Sequence, residues 1–378
     1  MEKKKVLITY ATYGSGHKTV ANYIYDYFCK NNSFEVKIID LLDYENKIGK
    51  ISTDIFNLNF KTNNSIGWDL TYELFDHKAT ASPFNFFAKA IIKKKKLQQD
   101  IQDFNPDILI STHFFGASLL SYFNHKGYTH AKIITIITDY ISHEFWIKND
   151  KDIDAFIVSN NIVKNDLISR GVNKKKIYPY GIPISSEFRK TDDINIVKTK
   201  YHVNNKKKTI LFFAGGSAGS SNSFIFLKRI LKERYDINIM YLTGNNSKLK
   251  LKAEEHIKEE GYKNVSILGF SKDIKNLLNI ADIVITKPGG VSITEALEMK
   301  KPLLLIPGNG GQERYNAKFI CWNGFGFNSR TTFSLNRNLK KLLTKKNVLA
   351  NMNNKLIKYQ ENTSVDKIYK LVDKLLKK

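Results

Sequence analysis

Only two cysteines, Cys29 and Cys321, occur in the 378 residues, too few for a disulfide framework or a cysteine-rich zinc site. Arginine is nearly as scarce: seven of the 60 basic residues are Arg, and the rest are Lys. Proteins that read nucleic acid lean on the bidentate Arg fork, so this balance argues against a nucleic-acid partner. No apolar run reaches the roughly 18 residues needed to span a bilayer. The start, Met1-Glu2-Lys3-Lys4-Lys5, has the charge of a signal n-region, but the apolar stretch behind it is short and breaks at Gly14. A soluble, cytoplasmic chain is expected. There is no Gly-x-x-x-x-Gly-Lys-Ser/Thr, which argues against a P-loop ATPase. There is also no Gly-x-Gly-x-x-Gly with an acid about 20 residues on, which weakens a dinucleotide dehydrogenase.

What the chain has in excess is lysine, giving a formal net charge of +24. A compositional bias toward Lys and Asn explains this as well as a surface built for anionic lipid head groups does. The one dense run is Lys93-Lys94-Lys95-Lys96. At 42% hydrophobic residues the chain can bury sizeable cores, and its length suits two domains.

Val6–Tyr10 reads as a buried strand that runs into Gly14-Ser15-Gly16-His17 and then a helix with Val20, Ile24, Tyr27 and Phe28 on one face. Val36–Asp40 is the next strand, so the chain opens as a parallel α/β unit. Phe84, Phe87, Ala88, Ile91 and Ile92 share a helical face, predicting an amphipathic helix that ends in the four lysines. Further strands are predicted at Ile108–Ser111, Ile133–Thr138 and Ala155–Ser159. Pro179, Pro183 and the charged stretch 187–208 mark a change of domain. A second α/β series follows, with strands at Thr209–Phe213, Ile237–Leu242, Val265–Leu268, Ile283–Thr286 and Pro302–Ile306. The expected division is 1–186, 187–348, and terminal helices over 349–378.

Each half opens with a strand and a glycine loop, Gly14–Gly16 and Gly215–Gly219, where backbone amides can approach an anion. A tight turn that only packs strand on helix explains either loop equally well. Lys287-Pro288-Gly289-Gly290 with Ser292 and Glu295 is more specific. The glycine pair suits a diphosphate and Glu295 a ribose diol, although Ser292 and Glu295 also fit a capping box. Gly311-Gln312-Glu313 follows, an amide and a carboxylate suited to sugar hydroxyls.

These motifs, with Thr138-Asp139, His143, Trp146, Gly181-Ile182-Pro183, Leu268-Gly269-Phe270 and Asn316, occur in order across most of the chain. In that arrangement the chain resembles the monogalactosyldiacylglycerol synthase and processive diacylglycerol glucosyltransferase group of glycosyltransferase family 28. Two departures are local: Gly215–Ser221 is a plainer glycine loop, and Asn309-Gly310 replaces a usual proline near Gln312. The resemblance implies a GT-B architecture, two Rossmann-like domains with a cleft between them and a terminal helix crossing back to the first. It implies UDP-hexose, either glucose or galactose, on the second domain and diacylglycerol or glycosyl-diacylglycerol on the first. It also implies inverting, metal-independent transfer with no cofactor, at the inner face of the cell membrane.

On that reading His17 and Asp139 are the candidate bases. Gly216, Ser217, Phe270, Lys287, Gly289, Gly290, Ser292, Glu295, Gly311, Gln312 and Glu313 would hold the donor. Gly16, His113, His143 and Trp146 would line the acceptor side, and Phe84, Phe87, Ile91 and Lys93, Lys94, Lys95 and Lys96 would meet an anionic membrane. The alternatives are a nucleotide-sugar epimerase of the same fold, a lipid-linked cell-envelope precursor glycosyltransferase, and a cationic lipid-binding module without turnover.

Overall fold

The computed structural model describes residues 3–51, 53–54, 69, 72–76, 90–147, 150–190, 192–215, 221–308, 310–360 and 365–377. The candidates Phe84, Phe87, Gly216 and Ser217 lie outside the described residues. Contacts divide the chain into two units. One is Met1–Ser185 with Asn309–Gln312 and Asn362–Lys378; the other is Ser186–Gly308 with Glu313–Glu361.

The first unit holds a parallel sheet of β1 (Lys4–Tyr10), β2 (Phe34–Asp40), β3 (Ile108–Ser111), β4 (Lys132–Ile136), β5 (Ala155–Ile157) and β6 (Ile177–Tyr178), in the order β2-β1-β3-β4-β5-β6. Its central strands are buried on both faces, which is why they read as unbroken apolar runs and not as alternation. The second unit holds β7 (Lys208–Phe213), β8 (Ile237–Leu242), β9 (Val265–Leu268), β10 (Ile283–Thr286), β11 (Leu303–Leu305) and β12 (Gly326–Asn328), in the order β12-β11-β10-β7-β8-β9. In each sheet the strand order reverses once, between β1 and β3 and between β7 and β10. Open α/β sheets bind ligands at such points, beyond the carboxyl ends of the strands.

Small hydroxyl residues mark that end of the first sheet. Thr9 pairs with Ser111, and Ser111 with Thr135, all fully buried. The helix Phe114–His125 lies directly on this row. A Cβ at Gly116 would sit 2.2 Å from Ser111 Oγ and 2.9 Å from Thr9 Oγ1. Alanine ordinarily strengthens a helix over glycine. Here Gly116→Ala should instead lower stability by about 1–3 kcal/mol, the usual cost of overpacking, read as a lower melting temperature.

The terminal helix Val365–Leu376 buries Val365, Ile368, Leu371 and Val372, and belongs to the first unit. Its Tyr369 ring meets Tyr27, Phe28 and Phe34 at 5.8, 5.0 and 5.1 Å. Two edge strands of two and three residues, β6 and β12, have no signature in the sequence. The charged stretch after Pro183 is not plain linker, since Asp193 caps a helix at Ile194–Lys200. Among the described residues no helix is long and apolar enough to cross a membrane.

Around the four lysines the structure corrects the expected helix. Residues 84–89 of that helix lie outside the described residues. Ile91 and Ile92 are not helical, and Lys93 is the N-cap of a helix that begins at Lys94, Lys94–Phe104. Ile91 and Ile92 are buried in the core of the first unit, so Ile91 does not meet a membrane. The chain before Lys94 pairs with the segment after β2, through the bridge between Glu45 and Ile92 and the Asn46 amide on the Ile91 carbonyl. That pairing turns the isoleucines inward.

Candidate functional site in each unit

In the first unit three chain segments converge beyond β1, β3 and β4. Gly14, at φ 97° and ψ 172°, starts the helix Ser15–Asn31, and no side chain caps it. The positive φ suits glycine and swings His17, in the first helical turn, over the neighbouring strand ends. His17 Nδ1 lies 2.7 Å from the Thr112 carbonyl and 3.1 Å from Thr138 Oγ1. A carbonyl only accepts, so Nδ1 carries the proton and the lone pair sits on Nε2. Thr112 Oγ1 donates back to the His17 carbonyl at 3.0 Å. Among the described residues nothing hydrogen-bonds Nε2. The result is an imidazole of fixed tautomer whose basic nitrogen is unspent.

His113 stands beside it, the ring centroids 4.4 Å apart and nearly perpendicular. Its Nδ1 accepts from the Phe115 amide at 3.1 Å, capping the helix Phe114–His125. Protein atoms crowd both rings. Burial pushes His17 down to about 4, against a smaller upward pull from the Thr112 carbonyl. Burial and then the neighbouring His17 hold His113 well below the usual imidazole range. Both rings are therefore neutral at pH 7. A base with a lowered pKa keeps its lone pair to lower pH. The acid limb of kcat/KM should therefore fall near pH 4 and not near 6.5, as a pH–rate profile on folded enzyme would show.

Asp139 follows Thr138 and is buried. His143 has a different part from the acceptor-lining one expected. Its Nδ1 accepts from the Phe145 amide at 3.1 Å, its Nε2 lies 2.7 Å from the Tyr72 carbonyl, and the ring is 1% exposed. Both nitrogens are spent on the fold. Trp146 is likewise buried, its ring edge-on to Phe114 in the core. Two overlapping Asp-x-Asp triplets stand in this unit's described residues, Asp150-Lys151-Asp152 and Asp152-Ile153-Asp154, and both precede β5. Asp152 and Asp154 are spent on the fold: their carboxylates take the Ser121 hydroxyl, the Ile133 amide and Lys132.

In the second unit, β10 runs through Lys287-Pro288 into the helix Gly290–Glu298. Gly289 is its N-cap, and no side chain caps it. The capping-box reading of Ser292 and Glu295 therefore fails: both lie inside the helix, which begins two residues before Ser292. The amides of the first turn stay available at the positive end of the helix dipole, as an anion site requires. Ser292 is half-buried and Glu295 is 6% exposed.

The helix Gln312–Asn323 fastens itself to this turn. Asn316, fully buried, donates its amide to the Pro288 carbonyl at 3.1 Å. The Glu313 carboxylate lies against Gly308 so closely that a Cβ there would meet Oε2 at 1.9 Å, and one at Gly289 would lie 4.0 Å from Oε1. The two loops read separately in the sequence are thus one structure. Gln312 Oε1 is buried without a hydrogen-bond partner among the described residues, an acceptor suited to a ligand hydroxyl. Phe270, after β9, is 65% exposed, and Lys287 is half-buried beside the Gly289 turn. Asn316→Ala should strand the Pro288 carbonyl and loosen the turn. A loss of about 1–3 kcal/mol in stability, with weaker nucleotide binding, is expected by thermal melting and calorimetry.

Thr112 and Asn316 are the site residues that sequence reading leaves out of its list. Thr112 acts through a backbone carbonyl, which no residue pattern reveals. Asn316 appears in the motif, but its bond to Pro288 spans 28 residues.

Two family models match, each to one half of the chain. Residues 17–184 match the monogalactosyldiacylglycerol synthase model, and residues 210–371 match the glycosyltransferase family 28 C-terminal domain. A processive diacylglycerol beta-glucosyltransferase of Bacillus pumilus is 29% identical over 84% of this chain and 81% of its own length. The Staphylococcus carnosus protein of the same name is 27% identical over 93% of this chain and 88% of its own. Among solved structures, an S. aureus MnaA–UDP co-structure aligns with a TM-score of 0.60 at 16% identity, covering 97% of this chain and 95% of that one. Acinetobacter baumannii MurG aligns with a TM-score of 0.60 at 14% identity, covering 98% and 99%. These likenesses give the fold as GT-B. Along its two halves the chain matches, in order, the monogalactosyldiacylglycerol synthase family and the C-terminal domain of glycosyltransferase family 28, and its processive diacylglycerol beta-glucosyltransferase relatives align with it across both.

Proposed function

We propose that this enzyme transfers a hexose from a UDP-sugar to diacylglycerol with inversion, making a β-glycolipid. Glucose is the first donor to test, since the Bacillus pumilus and Staphylococcus carnosus relatives are named beta-glucosyltransferases. The observation that carries the mechanism is the fixed tautomer of His17, with Nδ1 held by Thr112 and Nε2 unspent. The acceptor O–H gives its proton to Nε2 while its oxygen bonds to the anomeric carbon. The bond from that carbon to the β-phosphate oxygen breaks on the opposite face, and UDP leaves with the electron pair. His17 is a weak base, so the proton moves late, once the new C–O bond has made the hydroxyl acidic. Amides at the start of the helix Gly290–Glu298 and the Lys287 ammonium meet the charge on the departing diphosphate. Glu295, Gln312 and Glu313 take the ribose and hexose hydroxyls, with Asp139 as a second candidate near the base.

Diacylglycerol does not leave the bilayer, so the first unit works at a membrane surface, on this reading the anionic inner face of the cell membrane. Lys93 to Lys96 support that. All four are exposed, and three occupy the first turn of a helix, where the dipole disfavours cations. Lys94 and Lys96 lie over the rings of Tyr122 and Tyr44, at 5.7 and 5.6 Å. Replacing all four with Gln should weaken binding to anionic vesicles by roughly several-fold and leave UDP binding unchanged. High salt should act alike on the unaltered protein, read by sedimentation.

The test of the function is UDP release from UDP-glucose with and without diacylglycerol vesicles. Release that requires the lipid supports transfer. Release without lipid, or conversion of the UDP-sugar to an isomer, would favour an epimerase instead.

A further inference from the structure

We propose that the first unit docks on anionic bilayers through a small wedge made of Ile48 and Ile51, ringed by Lys47, Lys50 and Lys93–Lys96. The inference rests on the lipid-acceptor reading and deepens it by naming the surface that meets the lipid. Residues Lys47–Ile51 form a helical turn in which Ile48 and Ile51 stand three positions apart, on one face. They are 65% and 60% exposed, while Gly49 between them turns inward. A Cβ at Gly49 would lie 2.6 Å from the Ile91 carbonyl, so the turn is pressed onto the 90–93 segment. The Asn46 side chain donates to the Ala90 carbonyl at 2.7 Å and its amide to the Ile91 carbonyl at 2.8 Å; the Lys93 amide donates to the Tyr44 carbonyl at 2.7 Å. These bonds bring the lysine run beside the isoleucines.

Isolated surface isoleucines need no explanation. These two share a helical face, and exposed Lys47 and Lys50 flank them in the chain. The bonds at Tyr44 and Asn46 bring in the neighbouring segment that leads into exposed Lys93–Lys96, and the nearest exposed acids in sequence are Asp43 and Asp54. Apolar residues that enter the head-group region, with cations that meet anionic lipid, make an interfacial anchor. The wedge is also tied to the glycine loop. Thr53, at the far end of the turn, lies 3.1 Å from the Tyr13 hydroxyl, and both contact the buried Glu45 carboxylate. Tyr13 precedes Gly14 and sits 5.6 Å from the His113 ring. A lipid reached through the wedge is therefore delivered next to His17.

The experiment compares full-length enzyme with Ile48→Ser/Ile51→Ser on vesicles of phosphatidylcholine with and without phosphatidylglycerol. Sedimentation with the anionic vesicles should fall about 10- to 100-fold in the double variant, given the apolar area withdrawn from lipid. UDP binding and turnover of a short-chain, water-soluble diacylglycerol should stay at the unaltered level, while turnover of long-chain diacylglycerol in vesicles falls with binding. As a second probe, Ile51→Trp should shift its fluorescence to the blue on anionic vesicles and be quenched by brominated lipid. Unaltered vesicle binding by the double variant, or an Ile51→Trp that stays in water, overturns the wedge. Failure of the function reading looks different: the protein would bind vesicles through the wedge yet transfer sugar to no diacylglycerol of either chain length.

Discussion

His17→Ala should fold and bind UDP as the unaltered enzyme does, yet lose about 10²–10⁴-fold in turnover, the span of general acid–base catalysis. The reason is specific to Nε2. Every other polar contact of the ring runs through Nδ1, to Thr112 and Thr138, and serves to aim Nε2 and keep it unprotonated. His17→Gln separates aiming from chemistry, since the amide can keep a hydrogen bond to Thr112 but cannot take the proton, and it should be nearly as slow. Single-turnover rates with bound donor measure this directly. A variant that keeps more than about a third of the unaltered rate would place the base elsewhere, with Asp139 next in line, because that loss lies far below the acid–base span.

Glu295→Ala should cost about 1–3 kcal/mol of nucleotide affinity, a rise in Kd of roughly 5- to 150-fold, the price of an unpaired charged hydrogen bond. Glu295 stands on the helix whose first-turn amides remain uncapped, so it and the proposed diphosphate site are carried by one element. Calorimetry with UDP reads the loss. A melting temperature near the unaltered value separates lost binding from lost structure. Unchanged affinity would remove Glu295 from the donor site.

Much of this was legible in the sequence because parallel strands buried on both faces announce themselves. Ile108–Ser111, Ile237–Leu242 and Ile283–Thr286 begin and end where their apolar runs do. The short edge strands Ile177–Tyr178 and Gly326–Asn328 carry too few residues to set a period. The helical spacing of Ile91 and Ile92 with the phenylalanines before them was misleading for another reason. Pairing with Glu45 and Asn46, some 45 residues upstream, fixes those isoleucines as core, and local periodicity contains nothing of that. The histidines show the same limit. His17, His113 and His143 all follow strands and all look like site residues. Only the partners of each nitrogen separate an unspent base from a helix cap and a buried brace.

The central claim is transfer from a UDP-hexose to diacylglycerol with inversion, driven by a proton passed to His17. It is tested most directly by incubating the enzyme with UDP-glucose labelled at the anomeric carbon and diacylglycerol vesicles, then following the label by NMR. The account predicts a glycolipid in which the label is β-linked to the glycerol hydroxyl, formed mole for mole with UDP and lost in His17→Ala. An α-linked product, or label that stays on a water-soluble sugar nucleotide, would contradict it.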